Sequence, residues 1–346
     1  MQHYQAQELE EFATRCFVAV SVPFEDARTI ARILVLADLR GIDSHGVTRI
    51  PIYIERIRRQ AVNAQPEVRV VADAGACALI DGDNGPGPVV SWFANGLAME
   101  RARRYGAAAV VVRNSNHNGI CSAYTLESAG AGMIGIAATN AARSMAIAGS
   151  RESLVGTNPL SIAVPCSEGP PLVLDMATSV VARGKVVEHA KRGECIPEGW
   201  ALDAEGKPTT DAVAAERGVI LPMAGAKGSG LAIMIEILCG VLSGGVFGTQ
   251  IRNMYTEFEQ PQGVGHFFLA LDPLALGQGE LPQRIAALAA MLRSGKKAQG
   301  VDEILLPGEP EARQAVLRSG AGIGLPGNVI EDLRAVAVDL GIVPLR

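Results

Sequence analysis

The sequence lacks the marks of export and membrane insertion. Its amino terminus, MQHYQAQELEEF, is polar and acidic, without the basic and then apolar regions of a signal peptide. The most apolar stretch, Gly230 to Gly248, carries Glu236 and ends in a glycine cluster, which suits a buried core helix better than a membrane span. A basic excess is also missing. Lys and Arg number 31 against 36 Asp and Glu, the net charge is -5, and the two signs are interspersed. Nucleic acid and anionic membranes are therefore excluded as expected partners. The six cysteines, Cys16, Cys77, Cys121, Cys166, Cys195 and Cys239, have neither CxxC spacing nor disulfide-like density. They read as reduced thiols of a soluble cytoplasmic protein. Nor do His3, His45, His117, His189 and His266 pair at i,i+4 or stand beside a cysteine or carboxylate cluster, so no metal centre is expected. The absence of a G-x-S-x-G elbow argues against a serine hydrolase. Neither solenoid repeats nor low-complexity tracts occur.

What is present is ample core material, 48% hydrophobic residues over 346 positions, enough for two domains. LEEFATRCFVAV, DARTIARILVLADLRG and HGVTRIPIYIERIRR place apolar residues at three-and-four spacing and read as helices, with no convincing strand among them. From Pro66 the texture becomes β-branched. VRVVAD, CALIDGD, AAAVVVRN, MIGIAATN, LSIAVP, LVLDMA and HFFLALD read as strands, with helices through FANGLAMERARRYG, Ser122–Ala129 and the segment after Lys227. Helical patterns return in RIAALAAMLRSG, EARQAVLRSG and NVIEDLRAVAVDLG, which are expected to pack back on the first three. The predicted organisation is a mixed α/β (α+β) protein: a helical domain from residues 1–65 plus 280–346, and an α/β cofactor-binding domain over 66–279.

Two stretches match G-x-G-x-x-G, at Gly130–Gly135 and Gly322–Gly327. A dinucleotide fingerprint needs a strand before it and a helix after it, because the pyrophosphate sits on the helix amino terminus. The first match follows a helix and leads into a strand, and the second joins two helices. Both read as helix stops and turns.

Four segments could carry chemistry. In Arg40–Arg49, Asp43 or Ser44 is placed to cap the following helix, and His45 and Arg49 share a face four residues apart. A 2-hydroxy acid dehydrogenase needs such a pair, one group to move the hydroxyl proton and one to grip the carboxylate. The helix terminus and Arg49 both disfavour imidazolium, which predicts a base poised near neutrality. The alternative is a capping histidine beside a surface arginine. Arg113–Gly119 places His117 in a polar loop at a strand's carboxyl end, where open α/β sheets bind ligands, although ordinary loop hydrogen bonds would also suit it. Asp175 ends an apolar run and needs a partner: an imidazole, a ribose hydroxyl or a backbone cap. Gly225–Gly230 joins glycine-freed backbone donors, Lys227 and a helix amino terminus into an anion cradle, or else forms a flexible turn with a solvated lysine.

These segments, DSHGVTR, RNSNHNG, GTNPLSIAVP, LDMATS, IPEGWALDAEGKPTTD, LPMAGAKGSG and LLPGE, resemble the type-2 malate/L-lactate dehydrogenase family from about the first helix to the carboxyl terminus. The family also holds ureidoglycolate, sulfolactate and diketogulonate enzymes and cyclic-imine reductases. The resemblance implies an NAD- or NADP-dependent oxidoreductase with a non-Rossmann, malate/sulfolactate dehydrogenase-like fold, forming homodimers that share an active site. By position, His45 of the Ser44-His45-Gly46 motif resembles the proton donor/acceptor and Arg49 the carboxylate ligand, while His117 resembles a histidine given the acid/base role in some members. Leu174, Asp175, Met176 and Ala177 resemble a cofactor-binding strand end, Lys227 and Gly228 the nucleotide-contacting turn, Pro307, Gly308 and Glu309 a third cofactor segment, and Asn158 lies in the signature strand entrance. Arg183, Lys185 and Arg192 could meet a 2'-phosphate or form a solvated helix face. The implied reaction is reversible hydride transfer to or from a small 2-hydroxy or 2-oxo acid of malate, lactate, sulfolactate or ureidoglycolate type. Reduction of a cyclic imine is the alternative in the same class. An inactive nucleotide-binding regulator is the alternative in another, disfavoured because His45, Arg49 and Lys227 are all present.

Overall fold

The computed structural model describes residues 1–345. The chain opens with a short strand β1 (Gln2–Tyr4) and helices α1 (Ala6–Val18), α2 (Phe24–Leu39) and α3 (Ile50–Arg58). Strands β2 (Arg69–Ala74) and β3 (Cys77–Asp81) then lead through α4 (Gly87–Tyr105), β4 (Ala107–Ser115) and α5 (Ser122–Gly130) to β5 (Ile134–Thr139). Next come β6 (Met145–Ala146), β7 (Ser153–Val155), β8 (Leu160–Val164), β9 (Leu172–Met176), α6 (Arg183–Arg192), β10 (Ala201–Leu202), β11 (Pro208–Thr209), α7 (Ala212–Arg217), β12 (Val219–Ile220) and α8 (Ala226–Glu236). The chain finishes with β13 (Val264–Leu271), α9 (Leu281–Arg293), α10 (Glu309–Ala321), β14 (Ile323–Leu325) and α11 (Gly327–Leu340).

The main sheet has seven strands in the order β2-β3-β4-β13-β5-β8-β9, and only the β3–β4 pair is parallel. A doubly wound dinucleotide fold is parallel, so this mixed sheet is a different architecture. At its centre Phe268 on β13 lies opposite Val110 and Ala137, and Tyr124 meets it edge-on at 5.5 Å. The alternating burial of β4 turns Ala108, Val110 and Val112 onto α4, α5 and one side of α2.

The helical layer follows from spacing. Leu9, Phe12, Ala13, Cys16 and Phe17 form one buried face of α1, meeting Ile30 and Leu34 of α2, Tyr53 of α3 and Ile330, Leu333 and Ala337 of α11. Of the three carboxyl-terminal helices, α11 packs on α1 and α3, and α10 on α2. Helix α9 lies elsewhere: Pro282 accepts from Ser167 beyond β8, and Arg293 pairs with Glu309. A two-stranded ribbon, β1 with β14, ties the first residues to the turn before α11, a strand the helical reading omitted. Both glycine-rich matches do stop helices, at the ends of α5 and α10.

A second sheet, β11-β10-β12-β6-β7, has its own small core around Met145, Val155, Ile196, Ala201 and Ile220. Its strands are two or three residues long, too short for a period-two signal.

Phe12→Ala opens a cavity where α1, α2 and α11 meet and is expected to cost about 3–5 kcal/mol in urea unfolding, whereas Val338→Ala, 75% exposed on α11, should stay within about 0.5 kcal/mol.

Candidate active site

His45 and Arg49 lie in two successive 3-10 turns, Asp43–His45 and Val47–Arg49, between α2 and α3. Neither Asp43 nor Ser44 caps the following helix, which corrects the expected role: Asp43 pairs with Arg318 of α10, and Ser44 Oγ lies 2.9 Å from His45 Nδ1. The capping group is Asp38, in the last turn of α2. Its buried carboxylate accepts from Val47 N at 2.8 Å, while Arg318 donates to its main-chain carbonyl. Glycine is required at position 46, since a Cβ there would come within 1.8 Å of Asp38 Oδ1.

His117 follows β4. Asn116 donates to the carbonyls of Asn84 and Gly85, Asn118 to Ser91 Oγ at 3.1 Å, and Tyr124 donates to the Asn118 carbonyl. These bonds fix the loop on both sides of the histidine. Gln262 Oε1 accepts from His117 N at 3.0 Å. Gly119 N donates to His117 Nδ1 at 3.4 Å, and the Tyr53 hydroxyl lies 2.6 Å from the same nitrogen and 3.4 Å from the His117 carbonyl. With Nδ1 accepting from Gly119, the ring proton is assigned to Nε2.

The two imidazoles meet in a stack, with centroids 5.4 Å apart and planes inclined by 29°. Burial, then the Arg49 charge, pushes His45 down to about 4. The expected base near neutrality is instead a neutral imidazole throughout the physiological range. Burial, then His45, Arg49 and His266, holds His117 well below the ordinary histidine range. Burial raises Tyr53 above the ordinary phenol range, which keeps it a donor. Arg49, part-buried, lies under the Tyr255 ring at 5.4 Å, and its Nε has no partner. Behind them, Thr139 Oγ1 donates to carbonyl oxygens and so accepts from His266 Nδ1 at 2.8 Å, leaving His266 Nε2 to accept from Ser115 at 2.9 Å.

Two of the expected nucleotide segments share one crevice. Leu174, Asp175, Pro307 and Gly308 line a crevice of about 380 Å³ with Arg40, whose Nε is buried and unpartnered. Asp175 Oδ2 accepts from Ser122 N at 2.8 Å, capping α5, and burial pushes its carboxyl up. Its partners are thus a helix terminus and the Arg40 charge, with no imidazole among them. Gly308 has φ of +86°, and a Cβ there would meet Val173 at 2.8 Å, while Val173 N bonds the Pro307 carbonyl. Lys227 stands exposed in the first turn of α8, and Met223 N bonds Thr178 O, tying this glycine turn to the segment after Met176 and Ala177. Two of the expected cofactor residues have side chains committed to bonds within the fold. Asn158 is buried and divides its amide among Ala141 N, Ala232 O and Glu236, and Glu309 is buried, accepting from Leu306 N and Arg293. Arg183 is occupied by the Glu216 carbonyl and Arg192 by Glu188.

The whole chain has close counterparts. A family model described as malate/L-lactate dehydrogenase matches residues 4–334. The chain belongs to that family. A malate dehydrogenase of Pyrococcus horikoshii is 38% identical over 96% of this chain and 94% of its own length. An NAD(+) ureidoglycolate dehydrogenase of Escherichia coli K12 is 36% identical, over 83% of this chain and 82% of its own. The solved sulfolactate dehydrogenase of Methanocaldococcus jannaschii superposes with a TM-score of 0.93 at 36% identity, covering 99% of this chain and 98% of that one. Members so named act on hydroxy acids, and the mixed, non-Rossmann fold expected from the sequence is the family's fold. Tyr53, Gln262, Tyr255, His266 and Asp38 were not found from sequence. Tyr53 alone left a trace, one helical turn after Arg49.

Folded His266, buried and pushed down to about 3, refuses the proton that the unfolded chain accepts near 6.5. Stability present above pH 6.5 is therefore lost as the pH falls. In urea unfolding at pH 6, 5 and 4, His266→Asn should flatten this loss by up to about 1.4 kcal/mol per pH unit. An unchanged slope would mean that His266 titrates alike in both states.

Proposed function

We propose that the chain is a nicotinamide-dependent 2-hydroxy acid dehydrogenase, in which His45 moves the hydroxyl proton, His117 donates a hydrogen bond to the same oxygen, and Arg49 holds the carboxylate. The observation that carries this reading is the stack of two differently committed imidazoles beside a part-exposed guanidinium. His117 Nδ1 accepts from Gly119 N, so its Nε2–H is free to donate but cannot take up a second proton without breaking that bond. Among the described residues the His45 ring hydrogen-bonds only with Ser44 Oγ, which can accept an Nδ1 proton and leave Nε2 as the base. A bidentate grip by Arg49 orients the carbon bearing the hydroxyl.

The residues present suit a bound dinucleotide. The unpartnered Arg40 Nε and the Asp175 carboxylate face one crevice, and Lys227 supplies a cation at a helix amino terminus. A nicotinamide bound there would supply the hydride acceptor or donor for the substrate's C2, with Arg40 and Lys227 as the residues that would hold its dinucleotide.

Leu231, Met234, Ile237, Val241 and Leu242 form an exposed apolar stripe along α8 and its π-helical continuation, Ile237–Val241. We assign this stripe to a homodimer interface, which would place the partner against the turn bearing Lys227. Met234→Glu should shift the mass by light scattering from dimer to monomer; an unchanged dimer would remove the stripe from the interface.

Activity is tested with malate, lactate, sulfolactate and ureidoglycolate, each with NAD and NADP at 340 nm, beside reduction of piperideine-2-carboxylate. Arg49→Ala should raise KM for the preferred acid about 100-fold or more, and His45→Ala should lower kcat by about 10²–10⁴. Near-normal turnover by the His45 variant would transfer the proton to His117. A wild-type protein that reduces the imine and oxidises no acid would replace the hydroxy-acid reading.

A further inference from the structure

Arg56 of α3 is 2% exposed, yet among the described residues it forms no ion pair. Its two terminal nitrogens bond main-chain carbonyls, Nη1 donating to Met254 at 3.3 Å and Glu257 at 2.9 Å and Nη2 to Gln260 at 3.4 Å, while Nε is buried without a partner. These three acceptors belong to one loop, closed at its neck by Arg252 N on Gln262 O at 3.1 Å. Inside the loop, Glu257 pairs with Arg252 and accepts from Asn253 N, and Asn253 accepts from Tyr255 N. The loop therefore holds its own shape. Its only described hydrogen bonds to α3 come from Arg56.

Two side chains of this loop reach the site from opposite ends: Tyr255 lies over Arg49, and Gln262 fixes the His117 backbone. Helix α3 itself brings Tyr53 to His117 three residues before Arg56. The guanidinium thus locks the loop to the same helix that orients the histidine.

We infer that Arg56 is a positioning residue for substrate binding, anchoring the 252–262 loop so that Tyr255 walls the carboxylate grip of Arg49. The inference rests on the proposed hydroxy-acid reading. Burying a charged group is unfavourable unless hydrogen bonds replace its water, and here those bonds are all given to a loop that forms the site wall. A lysine offers one compact ammonium and cannot span three carbonyls.

The test compares Arg56→Met, Arg56→Lys and Tyr255→Ala in the full-length protein, using L-malate kinetics and hydrogen–deuterium exchange of the ligand-free chain. Arg56→Met is expected to raise the malate KM about tenfold with kcat changed less than about threefold and cofactor KM unchanged, the split produced by loss of binding rather than of chemistry. Exchange should rise within 252–262 while α1, α2 and β13 keep their protection. Tyr255→Ala should reproduce the KM change without the exchange change, and Arg56→Lys should fall between. If Arg56→Met does not fold, Arg56→Lys carries the same two readouts. Unchanged exchange in the loop, or an equal rise throughout the chain, overturns the anchoring role. A wild type inactive on every acid refutes the reaction, and the exchange comparison still decides the anchor.

Discussion

Two stacked imidazoles beside a guanidinium rest in their neutral forms, because burial and the neighbouring charge both disfavour imidazolium. Withdrawal from water and the neighbouring Arg49 enforce that condition on His45 and His117, and the local architecture follows from it. A neutral imidazole has one donor and one acceptor, so each ring must be told which nitrogen bears its proton. Gly119 supplies that instruction for His117, and Ser44 is the available partner for His45. Arg49 keeps its charge beside them.

Holding these groups together needs contributions from distant parts of the chain. Asp38 and Gly46 shape the turn that carries His45, and Arg318, from the carboxyl-terminal helices, clamps the same turn through Asp43. The His117 loop rests on the end of β4 and is braced by Gln262 from just before β13. Helix α2 faces both cores, with Ile30 and Leu34 toward the helical layer and Ile33 and Ala37 toward the sheet. Cleft geometry is therefore set by packing over the whole molecule rather than by one motif.

Much of this was legible in the sequence, and for local reasons. Helices α1, α2 and α11 show their buried faces in apolar spacing, and the long strands β4, β5 and β13 in β-branched runs. His45, Arg49 and His117 stood out because polar residues cluster between such elements. The second sheet was hidden because two-residue strands have no period, and α9 because its amphipathic pattern does not say which core it meets. Asp175 and Asn158 looked chemical because they are polar ends of apolar runs, yet one caps a helix and the other is shared among buried neighbours. Partners distant in sequence, such as Gln262 for His117, carry no local signal at all. The failed glycine fingerprints were informative in the same way: their wrong context pointed away from a doubly wound parallel sheet, and the sheet is mixed.

The central claim, a neutral histidine pair with fixed and different proton positions, is most directly tested by nitrogen-15 NMR of labelled imidazoles across pH 5–8, with His45→Asn and His117→Asn used for assignment. The account predicts that both rings stay neutral down to pH 6 and that His117 shows the Nε2–H tautomer. A His117 that is protonated at pH 6, or that carries its proton on Nδ1, would contradict it.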